Sequence, residues 1–297
     1  MRLDLVLAFM FLVASCGGTS ASIADAPQDA SDAFAGDAKA ADSGSSLGDA
    51  SADQRAHGSV TIRLAATTAS FAHSDGLSGQ TPSDQRLAIR SLSLGASAVD
   101  ASPWIVFDLD ASAVLAGVND GDDTVIATVP GSAIRSGSYA YAKVGVAYVR
   151  YVVAATVHDD GLGIPGTFHN LEVLSKGTVI GGTTYASGYS TFTFVAGGET
   201  YGPVVETSAP VPEYAGIGIT LSIANGEATY GFPVALTVSP VSSAMTLTML
   251  ANTNEDFRWK DEDEPGYAPG VFDVTPPSSY EPVEQFGANS LTLSLAP

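Results

Sequence analysis

The feature that most constrains this chain is the two-residue spacing of its apolar side chains between residues 58 and 297. Alternation places every second side chain on the same face of an extended strand, so it predicts sheets with one buried face. Short runs rich in Val, Ile, Thr and Tyr recur between Gly, Pro, Asn and Asp residues, and helical periodicity is hard to find. The clearest runs are Val60/Ile62/Leu64, Leu87/Ile89 with Leu92/Leu94, Met245/Leu247/Met249 and Leu291/Leu293/Leu295.

These runs predict an all-β fold over residues 58–297, an antiparallel β-sandwich built as one large unit or two abutting units. A division into two units would fall near 158–167. Asn225-Gly226 predicts a hairpin, because a type I′ turn needs two positive φ angles that Asn and Gly tolerate. Residues 138–158 contain no proline and one glycine, so they predict one very long strand or two joined by a bend. A slip in their alternation near Lys143 predicts a β-bulge.

Residues 16–57 differ from the rest in composition and predict a tether. They are nearly all Ala, Asp, Ser and Gly, and their large apolar side chains are limited to Ile23, Phe34 and Leu47. Ordering this stretch would cost backbone entropy with little hydrophobic return, so we predict a disordered acidic linker. An Ala-rich helix is the alternative, which the repeated Asp and Gly disfavour.

The single cysteine of the chain, Cys16, follows an apolar run that starts at Leu5. That run is about half the length a membrane-crossing helix needs. With Arg2 ahead of it and small residues behind, it has the build of a secretory signal peptide, residues 1–15.

Val13-Ala14-Ser15-Cys16 resembles the lipobox of bacterial lipoproteins, in which an aliphatic residue and two small residues precede the cysteine. The resemblance implies that the signal is removed, that the Cys16 thiol carries diacylglycerol, and that the new amine is acylated with a fatty acid such as palmitate. Gly17 in place of Asp implies the outer membrane. The C-terminal half, through residues 257–261 and 280–282, is similar to uncharacterised β-rich envelope lipoproteins of Gram-negative bacteria. A plain secreted protein with a chance cysteine is the alternative.

The charge of the chain limits its partners. Asp and Glu number 32 against 12 Lys and Arg, which gives a formal net charge of −20. Such a surface repels phosphate backbones, so no nucleic acid is expected as a partner. The membrane is then a partner through the lipid on Cys16 rather than through electrostatic attraction to anionic lipid.

Catalytic motifs occur only in unsuitable contexts. The G-x-S-x-G pattern at 44–48 lies in the predicted linker, whereas the hydrolase elbow needs a strand-to-helix turn. The G-x-G-x-x-G pattern at 161–166 contains Pro165 and is followed by β-like residues, so it predicts a turn rather than a dinucleotide site. We therefore predict no enzymatic activity and no required cofactor.

Residues 252–286 stand apart, with little alternation and five prolines. Such long irregular segments tend to be functional or disordered, and the aromatic residues here favour packing onto the sheets. Trp259 and Tyr267 are the candidate ligand contacts. Asp261, Asp263 and Glu264 are candidate Ca²⁺ ligands, because Ca²⁺ accepts several carboxylate oxygens in flexible geometry. A solvated acidic loop whose aromatics only pack is the alternative.

Three function classes remain open. The first is a lipid-anchored envelope lipoprotein whose sandwich is a non-catalytic binding or adhesion module for a glycan or a protein. The second is a structural or scaffolding envelope lipoprotein. The third is a hydrolase that uses paired carboxylates. The two groups need only be about 5–10 Å apart in space, so they have no characteristic spacing in the sequence.

Overall fold

The structure is a computed structural model and describes residues 58–215 and 218–297. β-Sheets make up most of these residues. Within those ranges the one helical element is a 3-10 turn at Gly131–Ala133. No helix in them has the length and apolar character required to cross a membrane. The predicted all-β class is confirmed. The predictions on residues 1–15, Cys16 and 17–57 lie outside the described residues and stay predictions.

The first half of the described chain contains eight strands. They are β1 (Ser59–Thr67), β2 (Ser78–Gln80), β3 (Asp84–Gly95), β4 (Trp104–Asp108), β5 (Val114–Gly117), β6 (Asp123–Pro130), β7 (Gly137–Asp159) and β8 (Leu162–Val173).

The second half of the described chain contains thirteen strands. They are β9 (Thr178–Ile180), β10 (Thr183–Tyr185), β11 (Ser190–Ala196), β12 (Glu199–Glu206), β13 (Tyr214–Ala215), β14 (Thr220–Ala224), β15 (Glu227–Val238), β16 (Met245–Asn252), β17 (Phe257–Trp259), β18 (Asp273–Thr275), β19 (Ser279–Tyr280), β20 (Val283–Gln285) and β21 (Ser290–Ala296).

A four-stranded sheet runs in the order β21-β16-β1-β6. Its strand β1 is antiparallel to β6 and parallel to β16, so that Val60 lies opposite Met245. The alternating runs supply its inner face, where Val60, Ile62, Leu64 and Met249 are buried. A parallel pair of this kind joins two strands that are far apart in the sequence.

A large curled sheet runs in the order β12-β11-β8-β7-β15-β14-β13, and β3 joins it beside β7 while carrying β4 and β5. Its inner face and that of the four-stranded sheet contribute side chains to the same cluster of buried apolar residues. This gives the mostly antiparallel sandwich that the alternation predicts.

The long strand predicted over residues 138–158 is confirmed as β7, which has 23 residues. One edge pairs first with β15 and then with β8, while the other pairs with β3 and then with β18. Lys143 itself keeps its register with both neighbours, but register shifts lie on either side of it. The register against β15 shifts between Tyr139 and Tyr141, and that against β3 shifts between Gly145 and Val146 and again between Val146 and Val149. At the irregularity the Ala147 carbonyl accepts bonds from the strand connection after β8.

Two tight turns position the strands of the large sheet. The Asn225-Gly226 hairpin is confirmed, with φ of 56° and 80°, the two positive angles of a type I′ turn. Asp160 and Gly161 close β7 onto β8 in the same way, with φ of 49° and 78°. The segment 158–167 is therefore the tip and first part of a hairpin that continues in register along both strands.

Residues 252–286 fold as four short strands with connecting loops. β17 lies between β2 and β20 in a three-stranded sheet, and β18 pairs with both β19 and β7. The prediction that aromatic residues hold this segment onto the sheets is confirmed. Phe257, Trp259, Phe272 and Phe286 are buried, and the ring centroids of Phe257 and Phe272 lie 5.0 Å apart.

Candidate functional site

The two candidate ligand contacts of residues 252–286 lie in packed positions. Trp259 is 1% exposed, its ring packs on Phe257 and Phe272, and its Nε1 donates to Asp261 Oδ1. Its ring therefore offers no free face on which a sugar could stack. Tyr267 is half-buried, with its ring centroid 4.9 Å from that of His158.

The candidate Ca²⁺ ligands do not converge. Asp261 uses one carboxylate oxygen to accept from Trp259 Nε1 and the Gly270 amide, and the other to accept from Ser78 Oγ at 2.7 Å. Asp263 and Glu264 are exposed. Among the residues the structure describes, no three His, Cys, Asp or Glu side chains form a group that could hold a metal ion.

The buried acids of this segment serve the backbone. Glu281 accepts from the amides of Glu262 and Asp273 at 2.9 and 2.8 Å, one on each oxygen. Asp273 Oδ2 accepts from the Ala268 amide at 2.7 Å, and its Oδ1 lies 2.7 Å from His158 Nε2. These carboxylates act as fixed acceptors that shape the loops.

The side chains that do converge come from the inner face of the large sheet. On β8, Phe168, Asn170 and Glu172 alternate inward and are all buried. Glu172 lies opposite Ser190 of β11, and Ser190 lies opposite Glu206 of β12. Residues directly opposite one another share a face, so Glu172 and Glu206 flank Ser190 with their Cα atoms roughly 10 Å apart.

A hydrogen-bond chain orients this row. Ser190 Oγ donates to Asn170 Oδ1 at 3.0 Å, and Asn170 Nδ2 donates to the Tyr151 hydroxyl at 2.8 Å. The same Nδ2 lies 3.5 Å from Glu172 Oε2, at the limit of a hydrogen bond. Glu172 Oε1 is buried and has no hydrogen-bond partner. Glu172 is thus a deeply placed carboxyl group with little to stabilise its charge.

A cavity of about 250 Å³ opens beside this row. The strands contribute its polar side chains, and two loops contribute apolar ones. Its lining consists of Tyr151, Asn170, Glu172, Ser190, Ala209, Pro210, Pro212, Tyr280, Pro282, Val283 and Phe286. Ligand pockets are typically concave, mostly apolar and equipped with a few convergent polar groups, and this cavity has that character.

The ionisable groups that line the cavity are all acids. Burial raises the pKa of Glu172 to about 8; the hydrogen bond from Asn170 lowers it in part, and the charge of Glu206 adds a smaller increase. Burial followed by the charges of Glu206 and Glu172 raises the pKa of Tyr280 to about 12. No Lys, Arg or His lines the cavity. A strongly perturbed carboxyl group in a cleft is a mark of a functional site.

A second buried acid, Asp256, lies elsewhere in the core. Burial raises its pKa to about 7, while hydrogen bonds from Gln85 and from backbone amides lower it. Gln85 Nε2 donates to Asp256 Oδ2 at 2.9 Å. Asp256 does not line the cavity beside Glu172, so we treat it as part of the core.

Sequence reasoning missed Glu172, Ser190 and Tyr280. One local signal could have found the first: in the alternation of Phe168, Asn170 and Glu172, a carboxylate occupies a position that period two assigns to the core. No such signal links Ser190 or Tyr280 to it, because they reach the cavity through pairing and loop packing.

The chain matches no protein-family model, no curated protein and no solved structure. The fold defines the class, an all-β protein with an antiparallel sandwich, and the site has to be interpreted from its own chemistry.

Proposed function

We propose that the protein is a lipid-anchored lipoprotein of the cell envelope, at the outer membrane, whose β-sandwich is a non-catalytic binding module with its ligand site at the Glu172 cavity. One observation carries the proposal: Glu172, a buried acid with one carboxyl oxygen that has no donor, lines a cavity with aromatic and proline walls. A buried polar atom without a partner costs stability, so a ligand group that supplies the missing partner would recover that cost on binding.

The same cavity replaces the contact surface predicted from sequence. Trp259 is packed into the core, so the binding surface moves from the acidic loop to the row formed by Asn170, Glu172 and Ser190. An amide, a hydroxyl group and a titratable carboxyl group thus line one small space. That is the arrangement by which small cavities select a ligand by its polar groups.

The site is tested with the full chain carrying Cys16→Ser, which stays free of lipid. Saturation-transfer NMR with a fragment mixture should detect binders that are lost in Ala209→Trp, because the indole at the cavity rim fills the space. Ser208→Trp is the matched control, since Ser208 is exposed and does not line the cavity. Fragment binding that is unchanged in both variants would refute this site.

The proposed location in the cell envelope rests on the resemblance of residues 13–16 to a lipobox. Cys16→Ser should move the protein from the membrane fraction to the soluble fraction of the expressing bacterium while its unfolding midpoint stays the same. Retention of that variant in the membrane would contradict the anchor.

A hydrolase is the second candidate, because strand pairing places two acids, Glu172 and Glu206, on the same face on either side of Ser190, and glycosidases use such carboxyl pairs. A carboxyl group with a pKa of about 8 could act as the acid. The test is hydrolysis of a panel of aryl glycosides by the wild type, Glu172→Gln and Glu206→Gln. Turnover that both substitutions abolish would favour the enzyme, and no turnover by the wild type would remove it.

A further inference from the structure

We propose that the ligand group bound at the Glu172 cavity is an organic ammonium ion, such as an amine or a quaternary ammonium head group. The inference rests on the proposed function and names the chemical class of its ligand. It is carried by three observations: Glu172, which lines the cavity, has an unpartnered carboxyl oxygen, Tyr280 contributes an aromatic wall, and no cation of the protein is among the lining residues.

No positive group of the lining balances the charge of Glu172 when it is ionised. Buried carboxylates are normally paired with a cation or with several donors. Glu172 has one contact from Asn170 Nδ2, at 3.5 Å, and its Oε1 has none. The titratable groups that face it are Tyr151 from β7, Glu206 from β12 and Tyr280 from β19, with Tyr230 of β15 also within electrostatic range. None of them supplies positive charge.

The walls fit a cation with an apolar surface. Tyr151, Tyr280 and Phe286 line the cavity. Tyr151 and Phe286 are buried with their rings stacked at 5.7 Å, so the half-buried ring of Tyr280 is the one available to a ligand. The faces of aromatic rings attract ammonium groups, and more strongly so when water is excluded. The proline rings and Val283 complete an apolar wall that would contact the methyl or methylene groups of the ligand. A hydrated inorganic cation would gain little from such walls.

The size of the cavity points to a head group or a side chain. Pockets for drug-sized molecules run from about 300 to 1,000 Å³, and this cavity measures about 250 Å³. It suits a small ammonium compound or the ammonium end of a larger molecule.

Binding of a cation and loss of a proton are linked at Glu172. Without ligand, the carboxyl group is mostly protonated below about pH 8. A cation favours the carboxylate, so its binding releases a proton to the solvent. If only the carboxylate form binds, linkage makes binding about 50-fold tighter at pH 8 than at pH 6.

The experiment uses the full chain carrying Cys16→Ser and two probes of the same shape, choline and the uncharged dimethylbutanol. Calorimetric titration at pH 6 and pH 8, in buffers of different ionisation enthalpy, should show saturable choline binding with proton release and much weaker binding of the alcohol. Glu172→Gln should weaken choline binding on the order of 30-fold or more at pH 8 and remove its pH dependence. Glu199→Gln is the charge-matched control, because Glu199 is exposed on β12.

A second pair of variants tests the aromatic wall. Tyr280→Leu should weaken choline binding roughly threefold to tenfold, and Tyr280→Phe, which keeps the ring, should restore it. This pair keeps the proposal testable if Glu172→Gln alters the fold.

The outcomes separate the two proposals. If choline and the alcohol bind equally and Glu172→Gln changes nothing, the ammonium proposal is overturned while a binding site at the cavity stands. If neither probe binds, the ammonium proposal also fails, and the fragment test with Ala209→Trp then decides whether the cavity binds any ligand.

Discussion

The acids of residues 252–286 and Glu172 of β8 differ in how their oxygens are satisfied. Asp273 and Glu281 are 1% and 0% exposed, and each of their oxygens has a partner at 2.7 to 2.9 Å. Glu172 is 6% exposed, and one of its oxygens has no partner. The first group is fixed by the fold and is part of its structure. The second lines a cavity, and the fold leaves one of its oxygens without a donor.

The contrast also shows that the density of acids in the sequence is a poor guide to function. Asp261, Asp263 and Glu264 lie close together in the chain, but the structure does not bring their carboxylates together. Glu172 has no acidic neighbour in its strand, and pairing across β11 brings it near Glu206. Strand register therefore decides which carboxylates interact.

The largest expected effect on stability comes from removing an acid whose oxygens are all hydrogen-bonded. Asp273→Ala removes the partner of His158 and of the Ala268 amide, and leaving buried polar groups unpaired in this way should cost about 3–5 kcal/mol of stability. Denaturant unfolding followed by fluorescence measures it. Asp263→Ala is the matched control, an exposed acid of the same segment. A cost below about 1 kcal/mol would show that the network is not structural.

Removing the charge of Glu172 should increase the stability of the fold, the opposite of the effect expected for Asp273→Ala. The folded-state pKa of Glu172 is raised from 4.5 to about 8, so the folded protein holds the extra proton and its stability falls as pH rises across that window. Glu172→Gln should therefore stabilise the protein by about 2–4 kcal/mol at pH 8 and by little at pH 5. Urea unfolding of both proteins at the two pH values checks this.

Asp256 gives the wild type a further pH dependence of the same sign, because its pKa is raised to about 7. The comparison of Glu172→Gln with the wild type separates the two groups, since Asp256 is present in both proteins. Equal stabilisation at pH 5 and pH 8 would contradict a raised pKa at Glu172.

A moderate effect is expected at Glu281, where the amides of Glu262 and Asp273 each use one carboxylate oxygen. Glu281→Gln keeps the shape but places an NH₂ group against one of these amides, so it should destabilise the fold by about 1–3 kcal/mol. The midpoint of urea unfolding, compared with that of Glu284→Gln on the exposed side of β20, measures the difference. An unchanged midpoint would mean that the amides find other acceptors.

The smallest effect is expected where the sequence places a calcium site. Asp263→Asn and Glu264→Gln are exposed substitutions and should change stability by no more than about 0.5 kcal/mol. The melting temperature of the wild type should be the same in millimolar calcium as in a chelator. A calcium-dependent rise that the two substitutions remove would restore the metal hypothesis.

Much of the fold could be predicted from local patterns. Alternation in residues 60–64 and 245–249 and the Asn225-Gly226 turn each reflect one local physical constraint, the two-residue repeat of a strand or the positive φ angles of a turn. The exact positions of the register shifts in β7 depend on how β3 and β15 pair beside it, which alternation within β7 does not record.

The candidate site could be predicted only in part. Glu172 was accessible as a charged residue on an apolar face, but its neighbours were not. Tyr151 joins it through the register between β7 and β8, Ser190 through β11, and Tyr280 through the packing of the loop segment. These contacts depend on long-range pairing, and one sequence carries no direct signal for them.

The parallel pairing of β1 with β16 has a consequence for how the chain acquires its structure. A polypeptide that emerges amino-terminus first from a ribosome or an export channel can pair β1 with β6 early, but the other edge of β1 stays open until β16 has emerged. Pairings between segments so distant in the sequence form slowly. Nearly the whole chain must therefore be released before the first strand is protected on both edges, and a chain truncated ahead of Met245 would retain an edge open to aggregation.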